Sequence, residues 1–202
     1  MFNIEIIIFL LLLLYSLFYQ VYIFIIEIKN NKHSLNKTTS LTIIQNELKR
    51  SNVNIYTVKS SNNKRSYFDI RRNTIKLDDR DYDSNSLTSI SRSFHMALDA
   101  IVINKTNSRV YSLLYKYLNK LFVLLFLVGI YFNAIDVMTV SLLGIIGILV
   151  FKFIEYVKKL NILNEDIDKI KKDNKLSDID TSKLYKMIVM YLYNDLSFNF
   201  FK

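Results

Sequence analysis

The sequence predicts a mainly α-helical membrane protein with about three transmembrane helices and a small α+β cytoplasmic insertion. Two observations support the membrane helices. Residues 6–26 form an apolar run that is broken only by Ser16 and Gln20, and two further apolar runs occupy residues 121–135 and 137–154. A third observation predicts the insertion, because the polar segment 29–120 is long enough to build a modest core, helped by contact with the membrane helices.

The first apolar run is long enough to cross a hydrocarbon core of about 30 Å as a helix. No Lys or Arg precedes it, and no small-residue cleavage site follows it. We therefore expect residues 1–28 to form a retained N-terminal anchor rather than a cleaved signal peptide.

The second and third runs lie close together and predict a transmembrane helical hairpin over residues 121–154. Gly129, Gly144 and Gly147 fall within it, and small residues let membrane helices approach closely. The alternative is a buried core hairpin of a soluble protein. The remainder of the chain is small and polar for covering such a hairpin, which favours the membrane interpretation.

The charge distribution predicts the orientation. All 27 Lys and Arg residues lie within residues 29–120 or 152–202, and the loop 133–136 has none. The positive-inside rule then places the N-terminus and this loop outside the cell membrane, with residues 29–120 and the tail 155–202 in the cytoplasm. The same distribution accounts for the net charge of +9 without nucleic acid as a partner. The absence of Cys excludes disulfides, a thiolate zinc cage and a cysteine nucleophile.

Periodicity predicts the smaller elements. A capping box at residues 42–45 opens a helix through Lys49. Strands are predicted at residues 55–58, 67–70 and 74–77, as one hairpin or a three-stranded sheet packed on two helices. The turn cluster 83–86 begins another helix. In the tail, a charged helix over 155–175 precedes a helix over 183–193, which we expect on the membrane surface or on the cytoplasmic helices. The predicted buried positions of the helix after 86 are Leu87, Ile90, Phe94, Leu98, Ile101 and Val102.

One stretch of that helix, residues 93–100, carries His95, Met96 and Asp99 in the frame of an H-E-x-x-H zinc motif. In such a motif, two His residues four apart on a helix point the same way and bind one zinc ion, and the Glu takes a proton from the zinc-bound water. Here Met96 stands at the position of the Glu, and Asp99 stands at the position of the second His.

The chain resembles the YugP-type neutral zinc metallopeptidase family of bacterial membrane proteins over about residues 41–163. The order of elements is similar: one span, a small α+β segment, a histidine-bearing helix, and two spans with a Glu at the exit. Short matches follow in the same order: Ser66–Arg71 with D-H-Y-D-P-R, Tyr82–Leu87 with Y-x-G-x-S-I, Ser93–Ile101 with A-A-H-E-V-G-H-A-I, and Phe153–Tyr156 with V-E-F-D.

The resemblance implies a metal site at His95, Asp99 and Glu155, with Glu155 at the family's third ligand position. The positions at which the chain differs from the family motif matter equally for the predicted function. A thioether cannot accept a proton, so Met96 leaves the site without the family's general base and we predict no catalytic residue. The alternative for Asp99 is a plain ion pair with His95 across one helical turn. The alternative for Glu155 is a solvated carboxylate beside neighbouring lysines. His33 is predicted to be a surface residue without a partner.

The sequence is compatible with three competing functions. The first is a catalytically inactive peptidase-like protein (a pseudoprotease) that acts as a scaffold or regulator, binds the lipid bilayer and an unidentified membrane protein, and holds no cofactor. The second is an active, atypical membrane zinc metallopeptidase with zinc on His95, Asp99 and Glu155. The third is an unrelated small membrane protein whose basic face binds anionic lipid.

Overall fold

The computed structural model describes residues 4–35, 38–60, 66–106 and 109–196. It is mainly helical with one small sheet, as the sequence predicts. In chain order, the elements are α1 Ile4–Asn30, α2 Ser40–Arg50, β1 Tyr56–Ser60, β2 Tyr67–Asp69, β3 Thr74–Asp78, α3 Asp79–Tyr82, α4 Leu87–Lys105, α5 Arg109–Tyr131, α6 Ile135–Asp173 and α7 Asp178–Leu196.

Within the described residues, three helices, α1, α5 and α6, are long and apolar enough to cross a membrane. Only 17%, 18% and 28% of their most apolar windows are buried inside the protein. Contiguous apolar surface of this extent is not left in water by soluble proteins. These helices are therefore compatible with membrane insertion, and the protein itself does not bury the hairpin as a soluble core.

The hairpin of α5 and α6 packs antiparallel through two of the three glycines. A Cβ atom at Gly144 would lie 2.6 Å from the Phe122 ring, and one at Gly129 would lie 2.7 Å from the Met138 side chain. Gly147 has no atom within 4 Å of such a Cβ, so the expectation that it also allows close packing is wrong. The helices are joined through Asn133, whose φ of 52° is left-handed.

The helix α6 is a single element of 39 residues, where the sequence predicts a span followed by a separate helix. At 1.5 Å per residue it is about 58 Å long, roughly twice the thickness of a hydrocarbon core. Its apolar part ends near Ile154, and the polar part continues in the same direction. The predicted boundaries at 120/121 and 154/155 therefore fall inside continuous helices, α5 and α6.

The insertion contains a three-stranded sheet in the order β1-β3-β2. β1 runs parallel to β3, with Tyr56 opposite Thr74, and β2 runs antiparallel to β3. The N-cap of α2 is Thr39, whose side chain accepts a hydrogen bond from the Thr42 N–H. The helix thus begins three residues before the predicted capping box, because Thr39 satisfies the first free N–H groups.

The helix α4 lies at the centre of the fold and is buried on two faces. Its N-cap is Ser86, within the predicted turn cluster. All six predicted core positions of α4 are confirmed as buried. One face, with Phe94 and Leu98, packs against α6 and α7, and the other, with Met96 and Ile101, packs against α2 and the sheet.

The tail helix α7 packs on protein. It contacts α1, α4 and α6 and contributes Leu184, Ile188 and Leu192 to the main core. Tyr19 of α1 donates a hydrogen bond to the Met190 carbonyl at 3.1 Å. Of the two predicted arrangements, packing on other helices of the protein is thus the one adopted, with α1, α4 and α6 as the partners.

Candidate functional site

The frame residues His95 and Asp99 lie one turn apart on α4, so their side chains leave the helix on the same side. The His95 Nε2 atom is 4.0 Å from Asp99 Oδ1, which is at the limit of an ion pair. A closer partner comes from the tail. Asp195 of α7 places Oδ2 2.8 Å from His95 Nε2. The plain His95–Asp99 pair is therefore present only as a long contact within a larger cluster.

The centre of this cluster is Lys159 of α6. Its Nζ atom lies 2.5 Å from Asp99 Oδ1 and 2.8 Å from Asp195 Oδ2. Only 8% of the Lys159 side chain is exposed. A buried ammonium is stable only when carboxylates compensate its charge, and here two of them face it. We name His95, Asp99, Lys159 and Asp195 the junction cluster, because they join α4, α6 and α7.

Three side chains of the junction cluster are of types that can bind a metal. One ligand atom each from His95, Asp99 and Asp195 lies within 4.8 Å of the others, and an imidazole with two carboxylates is an acceptable zinc donor set. However, the Lys159 ammonium already contacts both carboxylates. A divalent cation placed among these atoms would lie beside that ammonium. As arranged, the ammonium occupies the place beside both carboxylates, and the cluster does not fit a metal.

The third ligand implied by the resemblance, Glu155, lies one turn before Lys159 on α6. It is half-buried and accepts a hydrogen bond from Ser112 Oγ of α5 at 3.4 Å. Among the described residues, the group whose ligand atoms come close enough for one ion contains Asp195 and not Glu155. The structure therefore brings His95 and Asp99 together, whereas Glu155 contacts Ser112 of the neighbouring helix α5.

Met96 points away from the junction cluster. It is 4% exposed and packs among apolar residues of α2 and β3, including Ile44, Leu48 and Leu77. The residue at the general-base position of the motif is thus part of the core between α4 and the sheet. A carboxylate placed there would enter this apolar contact region.

A second ionic network lies one turn away along α4. Arg92 donates to Glu27 Oε1 of α1 at 2.9 Å and to Asp81 Oδ2 at 3.0 Å. Tyr191 of α7 donates to the same Glu27 oxygen at 2.6 Å. The network fixes the end of α1 against α4 and α7. In the sequence, the feature that indicates this network is a charged residue within each of two largely apolar helices, Glu27 in α1 and Arg92 in α4.

His33 has a partner, contrary to the expectation from the sequence. Its Nε2 atom lies 2.9 Å from Asp180 Oδ1 at the start of α7, and its side chain is 34% exposed. The partner is 147 residues away in the chain, which no local pattern indicates. His33 thus helps to hold the first turn of α7 against the loop after α1.

Comparisons of this chain with known protein families, with curated proteins and with solved structures find no match. The family resemblance therefore rests on the short motif matches alone.

Proposed function

We propose that this chain is an integral membrane protein with an inactive, peptidase-like helix, and that it acts as a scaffold or regulator of another membrane protein. The observation that carries the proposal is the position of Lys159. Its ammonium contacts the carboxylates of Asp99 and Asp195 at 2.5 and 2.8 Å, where a metallopeptidase would need its metal.

The chemistry of the helix supports the proposal. Met96 cannot serve as a base, and a positioned general base contributes about 10²- to 10⁴-fold to a rate. The Met96 side chain packs in the apolar core between α4, α2 and the sheet. A peptidase on this frame would therefore need another base and would have to displace a compensated ammonium.

The proposed topology has the N-terminus and the loop 133–136 outside, with residues 29–120 and the tail in the cytoplasm. The geometry is consistent with this arrangement. Phe9 of α1 stacks on Phe126 of α5 at 4.3 Å, near the hairpin turn. Glu27, at the other end of α1, contacts Arg92 and Tyr191. The beginning of α1 and the hairpin turn thus lie at one end of the molecule, in agreement with the positive-inside rule, which puts both on the same side.

The test is the metal content of the detergent-purified full chain beside a His95→Ala, Asp99→Ala double variant. We expect no stoichiometric zinc in either protein and no peptide hydrolysis that a chelator stops. About one zinc per chain, lost in the double variant, would contradict the proposal.

The second candidate is an active, atypical zinc metallopeptidase. It is favoured by one observation, the closeness of ligand atoms from His95, Asp99 and Asp195, which lie within 4.8 Å of one another. It requires Lys159 to leave the cluster, so a Lys159→Met variant that gained zinc and chelator-sensitive cleavage would support it.

A further inference from the structure

A groove opens between the C-terminal end of α4 and the polar part of α6. Its volume is about 250 Å³, and its lining is formed by Val102, Lys105, Thr106, Lys158, Asn161 and Ile162. The floor is apolar, through buried Val102 and half-buried Ile162, whereas both lysines are exposed at the rim. The groove is separate from the junction cluster, because Lys158 and Lys159 leave α6 on different sides.

The two rim lysines differ from Lys159 in their partners. Lys159 is buried against two carboxylates. Within the described parts of the chain, neither Lys105 nor Lys158 forms an ion pair, although Lys76, Lys169 and Lys171 do. The acidic residue nearest to Lys158 in the sequence of α6 is Glu155, and its carboxylate accepts a hydrogen bond from Ser112. The groove therefore presents two uncompensated positive charges beside an apolar floor.

The groove lies at a defined depth relative to the apolar part of α6. Lys158 follows Ile154 by four residues, which is about 6 Å along a helix. The headgroup layer on each side of a bilayer is roughly 5–7 Å thick, as judged from the total and hydrocarbon thicknesses. The lysine would thus lie at the level of lipid phosphates, and Lys105 faces it across the groove.

We propose that this groove binds the phosphate-bearing headgroup of an anionic phospholipid. The ammonium groups of Lys105 and Lys158 contact the phosphate, the Asn161 amide donates to a headgroup oxygen, and Val102 with Ile162 contacts the carbon atoms of the headgroup alcohol, which extends away from the hydrocarbon core. This inference rests on the membrane insertion proposed above. It does not depend on whether the junction cluster is a peptidase remnant.

The experiment is native mass spectrometry of the detergent-purified full chain, titrated with phosphatidylglycerol or with phosphatidylcholine. Three variants are compared with the wild type: Lys105→Gln with Lys158→Gln, the charge-preserving Lys105→Arg with Lys158→Arg, and the control Lys172→Gln with Lys183→Gln. The control removes the same charge from exposed positions farther from the apolar part of α6.

We expect one phosphatidylglycerol per chain, bound more tightly than phosphatidylcholine. A lysine near an anionic lipid surface contributes roughly fivefold, so the groove variant should bind about 30-fold more weakly. The arginine variant and the control should bind like the wild type. Equal loss in the groove variant and the control would show diffuse charge attraction and would overturn the proposal. Displacement of the lipid by millimolar inorganic phosphate would assign the groove to a soluble phosphate and would also overturn it.

Failure of this inference is distinguishable from failure of membrane insertion. Alkaline carbonate extraction of membranes that contain the full chain tests insertion alone. A chain that stays in the membrane, but whose groove variant binds lipid like the wild type, would refute the groove proposal only. A chain released without detergent would refute the insertion on which the proposal rests.

Discussion

The two ends of the helical bundle are held together by different physics. At the hairpin end, Phe9, Phe126 and Met138 form an apolar cluster, and Gly129 lets α6 approach. At the opposite end, α1, α4, α6 and α7 are joined by two ionic networks, centred on Lys159 and on Arg92. The apolar end depends on shape and tolerates change in small steps. The ionic end depends on charge balance, so removing one member leaves another buried and unpaired.

The largest expected effect is therefore at Lys159. We predict that Lys159→Met lowers the free energy of unfolding by about 3–5 kcal/mol, because two carboxylates lose their counterion. The exposed control Lys172→Met should change it by less than about 0.5 kcal/mol. Both are measured by denaturant unfolding in mixed micelles. Equal effects of the two substitutions would show that Lys159 is not a structural counterion.

The next effect is at Met96, on the apolar face of α4. We expect Met96→Glu to destabilise the fold by about 2–4 kcal/mol, because it places an ionisable group in the core, and to produce no peptidase activity. Met96→Leu, which conserves volume, should cost less than about 1.5 kcal/mol. Unfolding and peptide-hydrolysis assays of both variants provide the check. A stable Met96→Glu protein that hydrolysed peptides would refute this account of the helix.

A third effect sharpens the contrast through pH. Glu47 of α2 is 1% exposed; its Oε2 accepts a hydrogen bond from Arg50 at 2.7 Å, and its Oε1 has no hydrogen-bond donor among the described residues. Burial, together with a hydrogen bond to the Asp166 carboxylate, raises the pKa of Glu47 from 4.5 to about 7. A proton on Glu47 therefore lets these two acids share one hydrogen bond between α2 and α6.

The folded protein binds this proton more tightly than the unfolded chain does. The contribution of Glu47 to stability is therefore fully present below about pH 4.5. That contribution, on the order of 3 kcal/mol, should be lost as the pH rises through 7. In Glu47→Gln the stability should vary less across this window, because the amide keeps a donor at all pH values. Unfolding curves at about pH 5, 6, 7 and 8 test this, because steps of about one pH unit resolve a single titration. Identical slopes in both proteins would exclude Glu47 as the titrating group.

The smallest effect belongs to the apolar end. Gly144→Ala places a methyl group against the Phe122 ring and should cost about 1–2 kcal/mol. Gly147→Ala has open space and should be neutral or stabilising by up to about 1 kcal/mol, since Ala favours helix. The pair differs only in what the methyl group meets. Thermal unfolding in one detergent compares them, and a more stable Gly144→Ala variant would contradict the close packing.

These contrasts also explain how far the sequence alone could lead. The three long apolar helices, the strands and the buried face of α4 each have a pattern within a short stretch of sequence, so composition, periodicity and the Ser86 cap predict them. The residues of the candidate site are far apart in the sequence, so no local pattern predicts their contact. Lys159 and Asp195 meet His95 and Asp99 only after α6 and α7 fold back, and Asp195 is 100 residues from His95. The continuity of α6 was also missed, because a change from apolar to charged residues suggested a break where the backbone continues as helix.

The central claim is that the Lys159 ammonium compensates the carboxylates of the junction cluster. A double-mutant cycle tests it most directly, with Lys159→Met, Asp195→Asn and both changes together, measured as free energies of unfolding in the same micelles. Residues in contact couple by about 0.5–3 kcal/mol, and for this buried pair we predict a coupling above about 1 kcal/mol, with the double variant more stable than the sum of the single losses implies. Additive losses, with a coupling within about 0.3 kcal/mol of zero, would contradict the account.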